Sequence, residues 1–163
     1  MDFFNVAPSV IIIGPAGSGK TKMVRDYVRG RQCVWLDGLV SNDFTECLAF
    51  IYRTIGIVSE KPTNTIRTFE ELSEALLSQR RLERHDELVF VVDWLERFIY
   101  DCGGAGGEST NKQQLIYGLL ELTTMAPNFN IKVIGMTRRT DIIEGMEKRV
   151  RSRFSQNIVH LPF

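Results

Sequence analysis

Five short apolar runs alternate along this chain with stretches of helical spacing. SVIII at Ser9–Ile13 is continuous, β-branched and too short for a helix, so it predicts a buried strand. Residues 33–36, 88–92, 131–136 and 157–161 carry the same signature. Helices are predicted between them over residues 20–29, 43–55 and 112–125, and from a cap at Thr140 or Asp141 to about Ser152. Thr68 and Glu71 make a capping box that opens a further helix, with Leu72, Leu76 and Leu77 among its apolar residues. The connections are polar. Residues 56–67 form a loop containing Pro62, and glycine-rich DCGGAGGEST at 101–110 predicts a flexible segment. Strands that read as unbroken apolar runs are covered on both faces, and their alternation with helices predicts an α/β fold around a parallel sheet. Neither a repeat nor an internal boundary interrupts the pattern, so residues 1–163 are expected to form a single domain. A chain of this size buries about two-thirds of its unfolded surface, enough for its own core.

Composition narrows the class. Hydrophobic residues make up 44% and charged residues 25%, as in a globular protein. Twenty Lys and Arg balance 20 Asp and Glu, which argues against a surface wholly devoted to nucleic acid and leaves room for a local basic patch. Cys33, Cys47 and Cys102 are far apart and odd in number, and His85 and His160 complete no metal set. Buried thiols in a reducing compartment and no structural zinc are expected. The apolar run near the N-terminus lacks a basic leader and a small-residue cleavage site, and reads as a core strand rather than a signal peptide. No stretch approaches the ~20 apolar residues of a membrane span.

The chemistry enters at GPAGSGKT, which fits the phosphate-loop pattern G-x-x-x-x-G-K-[ST] with a strand before it and a helix after it. Gly14, Gly17 and Gly19 let the backbone turn so that several N–H groups converge on one phosphate, with Pro15, Ala16 and Ser18 completing the loop. The helix N-terminus adds partial positive charge. Lys20 is expected to reach the β- and γ-phosphates and the Thr21 hydroxyl to ligate Mg²⁺. Asp93 ends the third strand, where an acid in such proteins holds Mg²⁺, usually through water.

GPAGSGKT, VWLDGLVSND, VFVVDWLERF and VIGMTRRTDIIEGMEKRVRSRF together resemble the initiator clade of AAA+ proteins, in particular the subunit 4 family of the eukaryotic origin recognition complex. The block from Val133 to Phe154 is the specific part, since many families share the phosphate loop. The resemblance implies a five-stranded parallel sheet in the order 5-1-4-3-2, ATP and Mg²⁺ as ligands, and other subunits of such a complex and double-stranded DNA as partners. It also implies a nuclear location and no membrane. Thr137 then takes the place of the family's sensor-1 polar residue, at the end of a strand lying between the phosphate-loop strand and the Asp93 strand. Arg153 matches the arginine finger extended into a neighbour's ATP site, with Arg149 four residues earlier as second choice or helper.

Departures from the pattern carry information. Trp94 stands where the family often has a Glu after Asp93, and indole accepts no proton, so a general base is missing. Little intrinsic hydrolysis is expected. Glu96, three positions after Asp93, is expected to leave the strand end in another direction. The family continues into a helical lid and a winged-helix DNA-binding domain beyond the position of Phe163, so the chain is expected to be either a fragment or a reduced protein. Lys61 and Arg67 read as ordinary loop cations rather than DNA contacts. Two other functions fit the residues: a small P-loop kinase with the clustered arginines as a lid, and a competent AAA+ ATPase that uses Glu96.

Overall fold

A computed structural model describes residues 4, 7–55, 69–78, 87–100, 113–124, 130–154 and 157–162. Strands β1 (Ser9–Ile13), β2 (Gln32–Asp37), β3 (Glu87–Asp93), β4 (Asn130–Thr137) and β5 (Ile158–His160) pair in parallel in the order β2-β3-β4-β1-β5. Read from the other edge, this is the expected order 5-1-4-3-2. The register places Ile13 opposite Thr137 and Asp37 opposite Asp93, so the phosphate loop, both acids and Thr137 emerge at the C-terminal end of the sheet.

Side chains two apart share a face of a strand, and the core splits accordingly. Ile11, Ile13, Phe90, Val92 and Val133 pack on one side with residues of α2 (Phe44–Ile55), α5 (Gln114–Leu122) and α6 (Lys148–Phe154). Val10, Ile12, Val89, Val91, Ile134 and Met136 pack on the other with Val24 and Tyr27 of α1 (Lys20–Val28). Helix α3 (Phe69–Ser78) supplies Leu72 to the first cluster. The start of α2 is fixed by Asp43, whose carboxylate accepts the Glu46 N–H at 2.9 Å, while the Ser41 hydroxyl donates to Glu46 at 2.6 Å. Thr68, the 101–110 segment, Lys61 and Arg67 lie outside the described residues.

Two elements differ from the sequence expectation. A short helix, α4 (Glu96–Ile99), follows β3 directly. The helix expected from residue 140 or 141 to about 152 is two pieces, a 3-10 helix at Ile142–Gly145 and then α6, with Met146 extended between them. Packing causes the break. A Cβ at Gly145 would run into the Tyr100 ring, and the Tyr100 hydroxyl donates to the Asp141 carbonyl at 2.6 Å. The buried Gln113 amide donates to the Gly145 carbonyl at 2.9 Å and accepts the Glu147 N–H at 2.7 Å, replacing the backbone bonds a continuous helix would make.

A charged cluster stands at the opposite end of the sheet. Glu87 accepts from the Tyr27 hydroxyl at 2.6 Å and Arg31 at 2.8 Å, with the buried Lys132 ammonium 3.5 Å away. Burial alone would raise the Glu87 carboxyl, but the Tyr27 and Arg31 hydrogen bonds and the Lys132 charge outweigh it and leave it below 4.5. A lowered folded-state value stabilises the fold above the unfolded-state pKa, and that contribution is lost as pH falls through the folded-state value. Glu87→Gln is therefore expected to cost about 2 kcal/mol at neutral pH in urea unfolding, because Lys132 loses its ionised partner. The difference from the parent protein should shrink as pH falls through the lowered folded-state value, where the parent's Glu87 also protonates.

Candidate functional site

The loop between β1 and α1 is built for close backbone approach. Gly17 and Gly19 have φ of 79° and 92°, a conformation open to glycine and strained for other residues. Gly14 is closely packed, since a Cβ there would lie 2.7 Å from the Ser18 hydroxyl oxygen. Its N–H donates to the Thr137 carbonyl at 3.1 Å, tying the loop to the end of β4. The loop borders a cavity of about 340 Å³ that is also lined by Lys20, Thr21, Asp93, Trp94, Glu96, Thr137 and Arg138. Lys20, Thr21, Asp93 and Thr137 thus share one cavity.

Charges of both signs meet in this cavity. The Lys20 ammonium donates to the carbonyls of Gly14 at 2.6 Å and Pro15 at 2.8 Å. Burial, then repulsion from Arg138, pulls its pKa below 10.5, against the attraction of Asp93 and Glu96. A phosphate would favour the charged form again. Asp93 is shifted the other way: burial pushes its carboxyl above 3.8, and the facing Asp37 and nearby Glu96 add to this, opposed by the Trp94 N–H at 2.9 Å. A divalent cation fits such a crowded carboxylate with Thr21 lining the same cavity, since Mg²⁺ takes only one or two protein oxygens and completes its shell with phosphate and water. Thr137 is buried, and its hydroxyl oxygen accepts the Arg139 N–H at 3.1 Å, which leaves the hydroxyl proton to donate.

Glu96 requires a correction. It was expected to point away, yet it lines this cavity, and its buried Oε2 has no hydrogen-bond partner. The cause is the turn at Trp94, whose φ of 55° reverses the chain so that α4 begins across the ends of β3 and β4. The Leu95 N–H fixes that crossing by donating to the Met136 carbonyl at 2.9 Å. Arg138 is a cavity residue that the sequence reading missed. Its available signal was a basic pair directly after Thr137.

Arg149 and Arg153 lie elsewhere. The Ser9 hydroxyl donates to the Arg153 carbonyl at 3.1 Å, placing the end of α6 at the start of β1, whereas the phosphate loop begins at that strand's other end. Five strand residues separate the two, a span of about 16 Å. Arg153 pairs with Glu121 of α5, and Arg149 with Glu147 at 2.8 Å. Both guanidinium groups stand near the Tyr117 ring, at 5.5 and 4.6 Å from its centroid. The cluster is half-exposed and turned away from this chain's own cavity.

Comparison with known proteins agrees with the geometry. Origin recognition complex subunit 4 of Homo sapiens is 31% identical over 94% of this chain and 36% of its own length. The Cricetulus griseus protein of that name is 30% identical over 94% and 36%, and the Dictyostelium discoideum one 28% over 93% and 37%. The chain is similar to origin recognition complex subunit 4 over nearly its whole length. It spans just over a third of these relatives. No family model matches. Among solved structures, the Aeropyrum pernix ORC2 protein in ADPNP–ADP complexes superposes with a TM-score of 0.72 at 16% identity, over 99% of this chain and 43% of that one. Drosophila ORC bound to DNA gives 0.68 at 18%, over 95% and 37%. The fold is that of these solved structures, and the resemblance read from subunit 4 motifs holds.

Proposed function

We propose that this chain is the nucleotide-binding core of an AAA+ subunit in a replication-initiation complex, where ATP joins neighbouring subunits and little of it is hydrolysed in this site. One observation carries the reading: a complete phosphate loop stands beside Asp93, and the residue after Asp93 is Trp94, which accepts no proton. The likeness to origin recognition complex subunit 4 supports other subunits of such a complex as partners, double-stranded DNA as the target of the assembly, and the nucleus as its location. Among the described residues, no helix is long and apolar enough to cross a membrane.

In this reading, the N–H groups of residues 14–21 and the Lys20 ammonium bind the phosphates. Thr21 and Asp93 hold Mg²⁺, which when bound neutralises phosphate charge and relieves the crowding of Asp93 with Asp37 and Glu96. Thr137 donates its hydroxyl to the terminal phosphate. Arg153, with Arg149 as helper, serves a neighbour's nucleotide, and its distance from this chain's own loop supports a role in trans.

Glu96 favours one second reading, a hydrolysis-competent ATPase with Glu96 as the base. A small kinase fits less well, because the arginine cluster lies too far from the loop to close over it. Steady-state turnover by the isolated protein separates these readings. Release of phosphate close to the uncatalysed background is expected, and Glu96→Gln should leave that level unchanged. A rate of about 1 s⁻¹ or above that Glu96→Gln abolishes would overturn the low-turnover reading.

A further inference from the structure

Among the described residues, Trp94 is the one non-glycine with a positive φ, 55°. A bulky side chain adopts that conformation only where its surroundings hold it. Here its N–H donates to the Asp93 carboxylate at 2.9 Å and its carbonyl accepts the Arg97 N–H at 2.9 Å. Gly38 leaves room for that carbonyl, since a Cβ there would lie 2.8 Å from it. The ring presented by this turn stands 4.5 Å from the guanidinium carbon of Arg138, within cation–π range. Both side chains line the phosphate-loop cavity with Lys20.

Arg138 differs from its neighbour in how its charge is met. Arg139 makes a bidentate pair with Asp141 at 2.8 and 2.9 Å, whereas among the described residues no carboxylate pairs with Arg138. Five charged residues line the cavity, Lys20, Lys22 and Arg138 against Asp93 and Glu96, and they sum to +1. A nucleoside triphosphate brings about four negative charges and Mg²⁺ removes two, which exceeds the cavity's own positive balance, so a protein cation beyond Lys20 helps to balance the terminal phosphate. A guanidinium suits that task, because its planar donors match phosphate oxygens and its face stays stacked on an aromatic ring.

We propose that Arg138, held in place by the Trp94 ring, is a ligand for the terminal phosphate supplied by this chain itself, and that Trp94 is its positioning residue. The proposal rests on nucleotide binding at the phosphate loop and adds the preference for triphosphate over diphosphate. Where a proton-accepting side chain would serve turnover, Trp94 serves retention of ATP.

The test is calorimetric titration of ATP and ADP with Mg²⁺ into the parent chain and its variants, with folding checked by circular dichroism. The parent is expected to prefer ATP. Arg138→Ala should weaken ATP about ten- to a hundredfold, the worth of a hydrogen bond to a charged group, with ADP affinity in its original order of magnitude. Trp94→Phe should keep the preference for ATP. Trp94→Gly relieves the positive φ and should not lower the melting temperature, yet it should lose the preference. In a Trp35→Phe background, Trp94 emission should respond to ATP and not to ADP. Equal losses of ATP and ADP affinity in Arg138→Ala, or an unchanged ATP-to-ADP ratio in both Arg138→Ala and Trp94→Gly, would overturn the proposal. Failure of the parent to bind either nucleotide would instead remove the phosphate-loop reading, and this inference with it.

Discussion

Replacing Arg153 by Ala in an assembled ring that hydrolyses ATP is expected to lower turnover by ~10³–10⁵, the worth of an arginine supplied in trans to a phosphoryl-transfer site. Arg153 lies in the last turn of a short helix whose end is tied to the start of β1 by the Ser9 hydroxyl, remote from this chain's own phosphate loop. Its guanidinium is half-exposed and held by Glu121 beside the Tyr117 ring. Serving a neighbour therefore means exchanging one carboxylate for a phosphate that carries more charge. Because the planar fork meets the spreading charge of the transition state and an ammonium does not, Arg153→Lys should fail almost as badly as Arg153→Ala. Ring assembly is measured separately, so that loss of turnover is not loss of the complex. If Arg149→Ala abolishes turnover while Arg153→Ala leaves it intact, the finger is Arg149. If neither variant matters, the cluster is only a charged helix end.

Lys20→Ala is expected to weaken ATP·Mg²⁺ binding by roughly a thousandfold, since Lys20 would contact two phosphates and each hydrogen bond to a charged group contributes about 1.5–3 kcal/mol. The fold should survive. Lys20 is paired in the free chain with the Gly14 and Pro15 carbonyls at the rim of the cavity and contributes nothing to either core cluster. Calorimetry on the parent and variant decides the matter, and equal affinities would remove the nucleotide from residues 14–21.

The two arginine predictions separate by location. Arg138 acts on this chain's own nucleotide and is read in the isolated protein, whereas Arg153 is silent there and is read only in the assembly. Loss of ATP binding through Arg138 and loss of turnover through Arg153 are thus independent outcomes. A ring whose subunit keeps ATP but has lost Arg153 should still assemble.

How much was legible in the chain follows from the range of the forces involved. The five strands could be read because each is a local apolar run, and the phosphate loop because its glycines and lysine act through backbone geometry within eight residues. The strand order came from resemblance, not from these runs. The broken helix at 142–154 could not be read, because its break depends on Tyr100 and Gln113, which reach it from other elements. Neither could the direction of Glu96. Three-residue spacing after a strand says nothing about a positive φ at Trp94, and that turn is held by Asp93, Arg97 and Gly38 together.

By itself, the sequence determined the kinds of chemistry present: a loop shaped for phosphate, an acid at a strand end, a missing proton acceptor after it, and arginines near the end of a helix. Tertiary structure decided which charges share a space. Parallel register set Asp37 against Asp93, and the Trp94 turn brought Glu96 into the cavity and put an aromatic face under Arg138. Packing of α6 against β1 carried Arg153 away from it. Side-chain identity is written along the chain, but Coulomb and hydrogen-bond energies depend on distances of a few ångströms, and those distances are set by contacts between residues far apart in sequence.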